Sequence, residues 1–317
     1  MKNIKLVLAL LVLFLAILFI FTSNDTAEKN QQKKPVVAVT TFALYDIVKH
    51  VAQDTVEIVN ILPFGVDPHS FEPTPQLMAK LEKASLVIYS GAGLEPWVGS
   101  FEFKVPTLNV SEYVELRHLQ KGEHEHHHEH HDDHQEKHAT HNSTDPHYWL
   151  DFTNMQKATK VITEALIKLQ PQYEKLYREN EAKYIKMLQN LDKLYKENLR
   201  ECKLDTVVTS HNALGYLSRR YGFHVESLTG LSPEAEPSAK DVSRIMKEVQ
   251  KDGISTIFFE NFVNDSVIKR IAADTHIALD VFQPLGNITK DEAKAHLSYE
   301  DIMKRNLEKL KKALDCK

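Results

Sequence analysis

Three histidines stand where predicted strands or loops give way to helices, and imidazole is a common ligand for transition metals. His69 and His147 each follow an Asp-Pro pair, in DPHSFEPTP and DPHYWLD, and His211 follows a predicted strand in SHNALGYLSRRYG. A single histidine of this kind would more simply be a helix cap or a satisfied polar residue. In α/β sheets, however, ligands bind at the carboxyl ends of strands, and proline fixes the backbone beside them. We therefore predict that the three histidines share one metal site.

A second histidine-rich feature is the low-complexity segment 118–141, which includes the run EHEHHHEHHDDHQEKHATH. The segment has almost no apolar residue and therefore cannot pack into a core. Imidazole and carboxylate groups at this density bind divalent metals weakly and in many geometries. We interpret the segment as a metal-gathering loop that is accessory to the main site, and a merely solvated loop is the alternative.

The beginning of the chain has the pattern of an export signal. Lysines precede an unbroken apolar run over residues 6–21, as a positive region precedes the hydrophobic part of such signals. Residues 1–23 are therefore predicted to be a signal peptide or a single membrane anchor, and the polar residues 24–34 a flexible tether. The folded part is expected outside the cytoplasmic membrane, either periplasmic or at the cell surface.

Strand and helix patterns alternate on both sides of a helical middle. Residues 151–199 carry helical periodicity only, with one amphipathic pattern ending at Pro171 and a longer one after it. The alternation elsewhere predicts an α/β fold of two Rossmann-like lobes with parallel sheets, joined by a long linker helix. Short apolar or β-branched runs predict strands at 36–41, 56–62, 86–90, 206–209, 223–227, 256–259 and 278–282. The boundaries that this implies are 35–170 for the N-terminal lobe, 171–201 for the linker helix and 202–317 for the C-terminal lobe.

Composition narrows the class of protein further. The chain has 317 residues, of which 42% are hydrophobic and 26% charged, which fits a globular protein with room for two domains. A formal net charge of −5 gives no indication of a nucleic-acid partner. Cysteine occurs only at Cys202 and Cys316, which flank the second lobe. In an oxidising exterior compartment the two could form a disulfide, and the alternative is a pair of free thiols.

The motifs together resemble the solute-binding proteins of zinc and manganese ABC importers, the ZnuA type of the metal-binding cluster A-I family. The matching stretches are DPHSFEPTP, DPHYWLD, SHNALGYLSRRYG and GLSPEAEPSAKDV, and they cover roughly residues 35–315. The acidic His-rich insertion stands just before the second motif, where zinc-type members often carry one. The resemblance implies a monomeric binding protein, not an enzyme, that delivers metal to a membrane permease and its ATPase.

The resemblance also implies a ligand set. By motif it assigns His69, His147 and His211 as metal ligands, and it places a fourth ligand at Gln283, before a Pro-Leu pair. The family usually has aspartate there, so the amide oxygen of glutamine or a water would have to fill the position. Two carboxylates are expected to orient the imidazoles, because metal-bound histidines usually donate their other N–H to an acceptor. They are Glu72 and Glu260.

The ligand set favours Zn²⁺ as the transported ion. Three neutral imidazoles with at most one oxygen suit tetrahedral zinc, whereas manganese prefers more oxygen ligands. Manganese-type relatives replace one histidine by glutamate, but this chain keeps His147. A zinc hydrolase is an alternative, because three histidines with an open fourth position also describe a catalytic centre. The chain lacks the HExxH motif of many such enzymes. Cell-surface adhesion, which several Asn-x-Ser/Thr sequons would fit, is a third hypothesis.

Overall fold

Two four-stranded parallel sheets form the framework of the protein, and the longest helix lies between them in the sequence. The computed structural model describes residues 33–119, 144–233, 237–261 and 266–317. The predicted α/β class, with two lobes built on parallel sheets, is confirmed. The predicted export signal and most of the predicted metal-gathering loop lie outside the described residues. Among the helices that the structure does describe, none combines the length and apolarity needed to span a bilayer.

The first sheet has its two central strands fully enclosed. Its strands are β1 (Val36–Val39), β2 (Glu57–Asn60), β3 (Leu86–Tyr89) and β4 (Thr107–Asn109), in the order β2-β1-β3-β4. Helix α1 (Phe42–Ala52) connects β1 to β2, and helix α2 (Pro75–Leu81) connects β2 to β3. Because β1 has a neighbouring strand on each side and cover on both faces, its β-branched run is buried, as is typical of parallel sheets.

A two-residue ribbon separates the first sheet from the helical middle. Strand β5 (Arg117–His118) pairs antiparallel with β6 (Thr144–Asp145), and residues 119–143 stand between the two strands in the sequence. Helix α3 (Phe152–Leu169) begins directly afterwards, with the Asp151 side chain accepting hydrogen bonds from the first backbone N–H groups. Helix α4 (Glu174–Asn198) is the predicted long helix, and it packs against α3 and α1.

The second sheet repeats the parallel arrangement in the order β10-β9-β7-β8. Its strands are β7 (Thr206–Thr209), β8 (His224–Ser227), β9 (Thr256–Phe259) and β10 (Ala278–Val281). The connecting helices are α5 (Gly215–Tyr221), α6 (Ala239–Asp252) and α7 (Ser266–Thr275), and α8 (Lys290–Lys294) and α9 (Tyr299–Ala313) follow the sheet. Helix α9 starts at Tyr299, because the Ser298 side chain caps it there.

Helix α4 is hydrogen-bonded to elements of both lobes. The hydroxyl of Tyr184 donates to Asp46 of α1 over 2.7 Å, and the hydroxyl of Tyr195 donates to the carbonyl of Met303 in α9 over 2.7 Å. The largest apolar cluster also contains side chains from both sheets, including Val37 of β1. One apolar cluster therefore extends through both lobes, beside a smaller separate cluster in each, and the predicted lobe boundaries stay a prediction.

The segment after β10 crosses from the second lobe to the first. Backbone N–H groups of Phe42 and Gly65 donate to the carbonyls of Gly286 and Ile288, over 3.0 and 2.9 Å. The side chain of Asn287 donates to the carbonyls of residues 63 and 66. At the other end of the lobe, a disulfide joins Cys202 to Cys316. The second lobe is thus held at both its sheet edge and its terminus.

Candidate metal centre

The three predicted histidines converge at the boundary between the lobes. His69 comes from the loop after β2, His147 from the turn after β6 and His211 from the turn after β7. The Nε2 atom of His147 lies 3.2 Å from Nε2 of His69 and 3.3 Å from Nε2 of His211. A tetrahedral ion with Zn–N bonds of about 2.0–2.1 Å requires nitrogen–nitrogen separations of about 3.3 Å. The spacing therefore suits one tetrahedral zinc ion.

Both Asp-Pro-His motifs fold into turns that the aspartate closes. The backbone N–H of His69 donates to Oδ1 of Asp67 over 3.1 Å, and that of His147 donates to Oδ1 of Asp145 over 3.0 Å. An aspartate side chain that accepts from the backbone two residues later is a common turn device. Proline between the two residues restricts the backbone further. The motif thus fixes the direction in which each histidine leaves the chain.

Asp145 also orients the ring of His147. Its Oδ1 atom lies 2.8 Å from Nδ1 of His147, and Asp145 is fully buried. A proton on Nδ1, shared with the carboxylate, leaves the lone pair of Nε2 free to bind a metal. The second carboxylate oxygen, Oδ2, accepts from Nη1 of Arg117 over 3.1 Å.

Glu260 stands in the corresponding position beside His211. Its carboxylate contacts Nδ1 of His211, and both side chains are almost completely enclosed. Burial is the largest single effect and lowers the pKa of His211, but the charge and hydrogen bond of Glu260, together with the charges of Asp67 and Asp145, raise that pKa above the ordinary value. Nε2 of His211, the atom near His147, remains the metal-facing nitrogen.

His69 completes the set as a neutral ligand. Burial, together with the nearby rings of His147 and His211, lowers the pKa of His69 to about 2. The ring is therefore uncharged at any pH at which the protein would work. An uncharged imidazole is the form that binds metal.

The structure does not bring Gln283 or Glu72 to the histidines. The amide nitrogen of Gln283 donates to Glu292 over 2.9 Å, and its amide oxygen accepts from the backbone of Leu285 over 3.3 Å. Leu285 adopts a left-handed conformation, with φ of 64°, and Gly286 after it lines the pocket while Gln283 does not. Glu72 is exposed and is not among the residues that line the pocket.

The pocket around the three histidines is very small. Its volume is about 20 Å³, and the carboxylates of Asp67 and Glu260 and the rings of Pro68 and Trp149 contribute to its wall. A cavity of roughly 10–15 Å³ is the minimum for one water molecule. The site therefore has room for an ion, but not for an organic molecule.

Sequence reasoning missed the residues that support the site from behind. The sequence does contain a usable signal for Asp67 and Asp145, because Asp-Pro-His occurs at two distant places. Arg117 gave no signal, because its partner Asp145 lies on the far side of the histidine-rich segment.

Comparison with known proteins identifies the family. The family described as zinc-uptake complex component A, periplasmic (ZnuA), matches residues 37–313. The chain belongs to the ZnuA family. Membership confirms the resemblance that the four motifs indicated.

Individual members of the ZnuA family align along most of the chain. It is 33% identical over 298 residues to the high-affinity zinc uptake system protein ZnuA of Bacillus subtilis, covering 92% of this chain and 91% of that protein. It is 32% identical over 323 residues to the zinc-binding lipoprotein AdcA of Streptococcus pneumoniae, covering 99% of this chain but only 62% of AdcA. The crystal structure of the Zn(II)-bound ZnuA-like domain of S. pneumoniae AdcA matches with a TM-score of 0.72 at 29% identity, covering 89% of this chain and 99% of that one.

Proposed function

We propose that this protein captures Zn²⁺ between its two lobes and delivers it to the permease of an ABC importer, outside the cytoplasmic membrane. One observation carries the proposal: the Nε2 atoms of His69 and His211 lie 3.2 and 3.3 Å from Nε2 of His147, and ligand atoms of all three histidines lie within 4.8 Å of one another. The two short distances match those of a tetrahedral metal site. Zinc is the cargo of this site and not a resident cofactor.

The donor set favours zinc over manganese. Three imidazoles are borderline ligands that suit zinc, whereas Mn²⁺ prefers mainly carboxylate, carbonyl and water oxygens. Two of the residues on the pocket wall, Asp67 and Glu260, carry carboxylates. We propose that one of these carboxylates or a water molecule fills the fourth position.

The size of the pocket favours binding over catalysis. A zinc hydrolase must seat an organic substrate next to the metal-bound water. A cavity of about 20 Å³ is too small to hold such a substrate beside the ion. We therefore assign the site to capture of a free ion.

Delivery requires that the ligand set can be taken apart. His69 and His147 precede helix α4 in the chain, whereas His211 and Glu260 follow it. Separation of the lobes would remove His211 and leave two ligands, which would weaken binding steeply. Contact with the permease would then release the ion, with the ATPase of the importer driving transport. We propose that the protein acts as a monomer, and that residues 1–23 direct its export.

Metal binding tests the proposal directly. In the full chain, residues 120–143 would be replaced by a short glycine-rich turn, which removes weak histidine sites. Elemental analysis should then find one zinc per chain, and competition with a chromophoric chelator should show that His211→Ala loses most of the affinity. His224→Ala, which removes an exposed histidine on β8, is the matched control and should bind like the parent. Equal binding by both variants would refute the proposal.

A further inference from the structure

We propose that Arg117 is a positioning residue of the metal centre, which fixes Asp145 behind His147 and couples that ligand to the second lobe. The inference rests on the proposed zinc site, and it assigns a role to a residue that lies outside the ligand set. Three independent contacts support it: one to the carboxylate, one through Tyr216 and one across Gly215.

The first contact divides the two oxygens of a buried carboxylate between two partners. Oδ1 of Asp145 holds Nδ1 and the backbone N–H of His147, and Oδ2 accepts from Nη1 of Arg117 over 3.1 Å. The Asp145 side chain is 0% exposed and that of Arg117 is 14% exposed. A carboxylate buried to this extent needs a partner charge, and removing one member of such a pair leaves the other uncompensated. Arg117 therefore holds the Asp145 carboxylate in place behind His147.

The second contact holds the ribbon on which both residues lie. Arg117 and Asp145 are directly opposite in the β5–β6 pairing, which is two residues long. A two-stranded ribbon is marginally stable by itself. The hydroxyl of Tyr216 accepts from the backbone N–H of Arg117 over 2.8 Å and donates to the carbonyl of Asp145 over 2.9 Å. One side chain of helix α5, in the second lobe, thus ties both strands of the ribbon.

The third contact requires glycine at the start of helix α5. A Cβ atom at Gly215 would lie 2.7 Å from Cζ of Arg117 and 3.0 Å from Oδ2 of Asp145. Any larger residue would push the guanidinium off its carboxylate. The absence of a side chain at Gly215 therefore lets the Arg117–Asp145 ion pair pack directly against helix α5.

These contacts connect ligand geometry with closure of the lobes. His147 belongs to the first lobe, but the support behind it is completed by Tyr216 and Gly215 of the second. When the lobes separate, the ribbon loses those contacts and His147 loses its fixed orientation. Arg117 thereby makes tight zinc binding conditional on the closed arrangement. Mutation of residues that support metal ligands typically weakens metal affinity by about 10- to 100-fold.

The test compares three variants in the full chain with residues 120–143 replaced by a glycine-rich turn. Arg117→Met removes the charge and keeps most of the volume, whereas Arg117→Lys restores the charge. Arg305→Met, at an exposed position of α9, is the matched control. The readouts are zinc affinity by chelator competition and the visible spectrum of bound Co²⁺, which reports ligand geometry.

We expect Arg117→Met to weaken zinc binding about 10- to 100-fold and to change the Co²⁺ spectrum, Arg117→Lys to recover part of both, and Arg305→Met to match the parent. Parent-like affinity and spectrum in Arg117→Met would overturn the proposal while leaving the zinc site intact. If the parent itself bound no zinc, the proposed function would fail instead.

Should Arg117→Met not fold, Gly215→Ala decides, because its added methyl group would displace the guanidinium of Arg117 from Asp145 while both members of the pair are kept. A weakened affinity with an altered Co²⁺ spectrum supports the proposal, and an unchanged site overturns it.

Discussion

Replacing Glu260 by glutamine should weaken zinc binding about 10- to 100-fold, equivalent to roughly 1.4–2.8 kcal/mol. Glutamine keeps an oxygen that can accept from Nδ1 of His211, so the ring should stay in place. It loses the negative charge, and that charge acts at short range between two enclosed side chains. Nε2 of His211 then becomes a weaker electron donor to the metal, while the other ligands are unchanged.

The pH of the measurement decides whether this effect can be seen. Glu260 raises the pKa of His211, so its removal lowers that pKa and also reduces competition by protons. The two effects oppose each other in acid, and competition by protons fades in both proteins as the pH rises. Chelator competition at a series of increasing pH values, read where the affinity no longer changes with pH, is therefore the assay. Glu72→Gln, which neutralises an exposed carboxylate of the first Asp-Pro-His motif, is the control. The reasoning is refuted if Glu260→Gln binds like the parent, or if Glu72→Gln loses as much.

Three further outcomes follow from the same contacts. Zinc affinity should fall as the pH is lowered, by about tenfold per pH unit once His211 is protonated. The fall should begin at a higher pH than for an ordinary histidine, because Glu260 raises the pKa of His211. An affinity that stays constant down to pH 5 would contradict this. Serine at both Cys202 and Cys316 should cost about 4.8 kcal/mol of unfolding free energy by loop entropy, since the bond spans a sequence separation of 114, and denaturant unfolding of the variant measures the loss. Stripping the metal with a chelator should lower the unfolding temperature, because zinc at 100 times its dissociation constant adds about 2.7 kcal/mol; calorimetry with identical melting curves would argue against a native-state site.

Strands were predictable from sequence where a short apolar run stood alone between polar residues. The runs at Thr206–Thr209 and Thr256–Phe259 have the predicted bounds because each is a buried central strand. Strand β4, Thr107–Asn109, was missed because it is an edge strand of three residues with one buried side chain. The β5–β6 ribbon was missed because a tyrosine distant in sequence holds it together, and no local pattern records such a contact.

The metal-facing residues were predictable to the extent that backbone geometry follows from local sequence. Asp-Pro-His is a self-contained turn, so the directions of His69 and His147 could be anticipated from residues beside them. The position of Gln283 depends on the left-handed conformation of Leu285 and on a hydrogen bond to Glu292. Leucine rarely adopts that conformation, so nothing in the sequence indicated that Gly286 would face the pocket.

Opening of the site can be followed at individual backbone amides, because hydrogen bonds join the two lobes. The amides of Phe42 and Gly65 donate to carbonyls of the segment after β10, so their exchange with solvent deuterium should become faster when the lobes part. Their exchange rates measure the free energy of opening, separately from that of global unfolding. Bound metal should slow both amides together, and a productive encounter with the permease should speed them. The exchange rates of these two amide protons would therefore report how often the site opens, without a measurement on the metal itself.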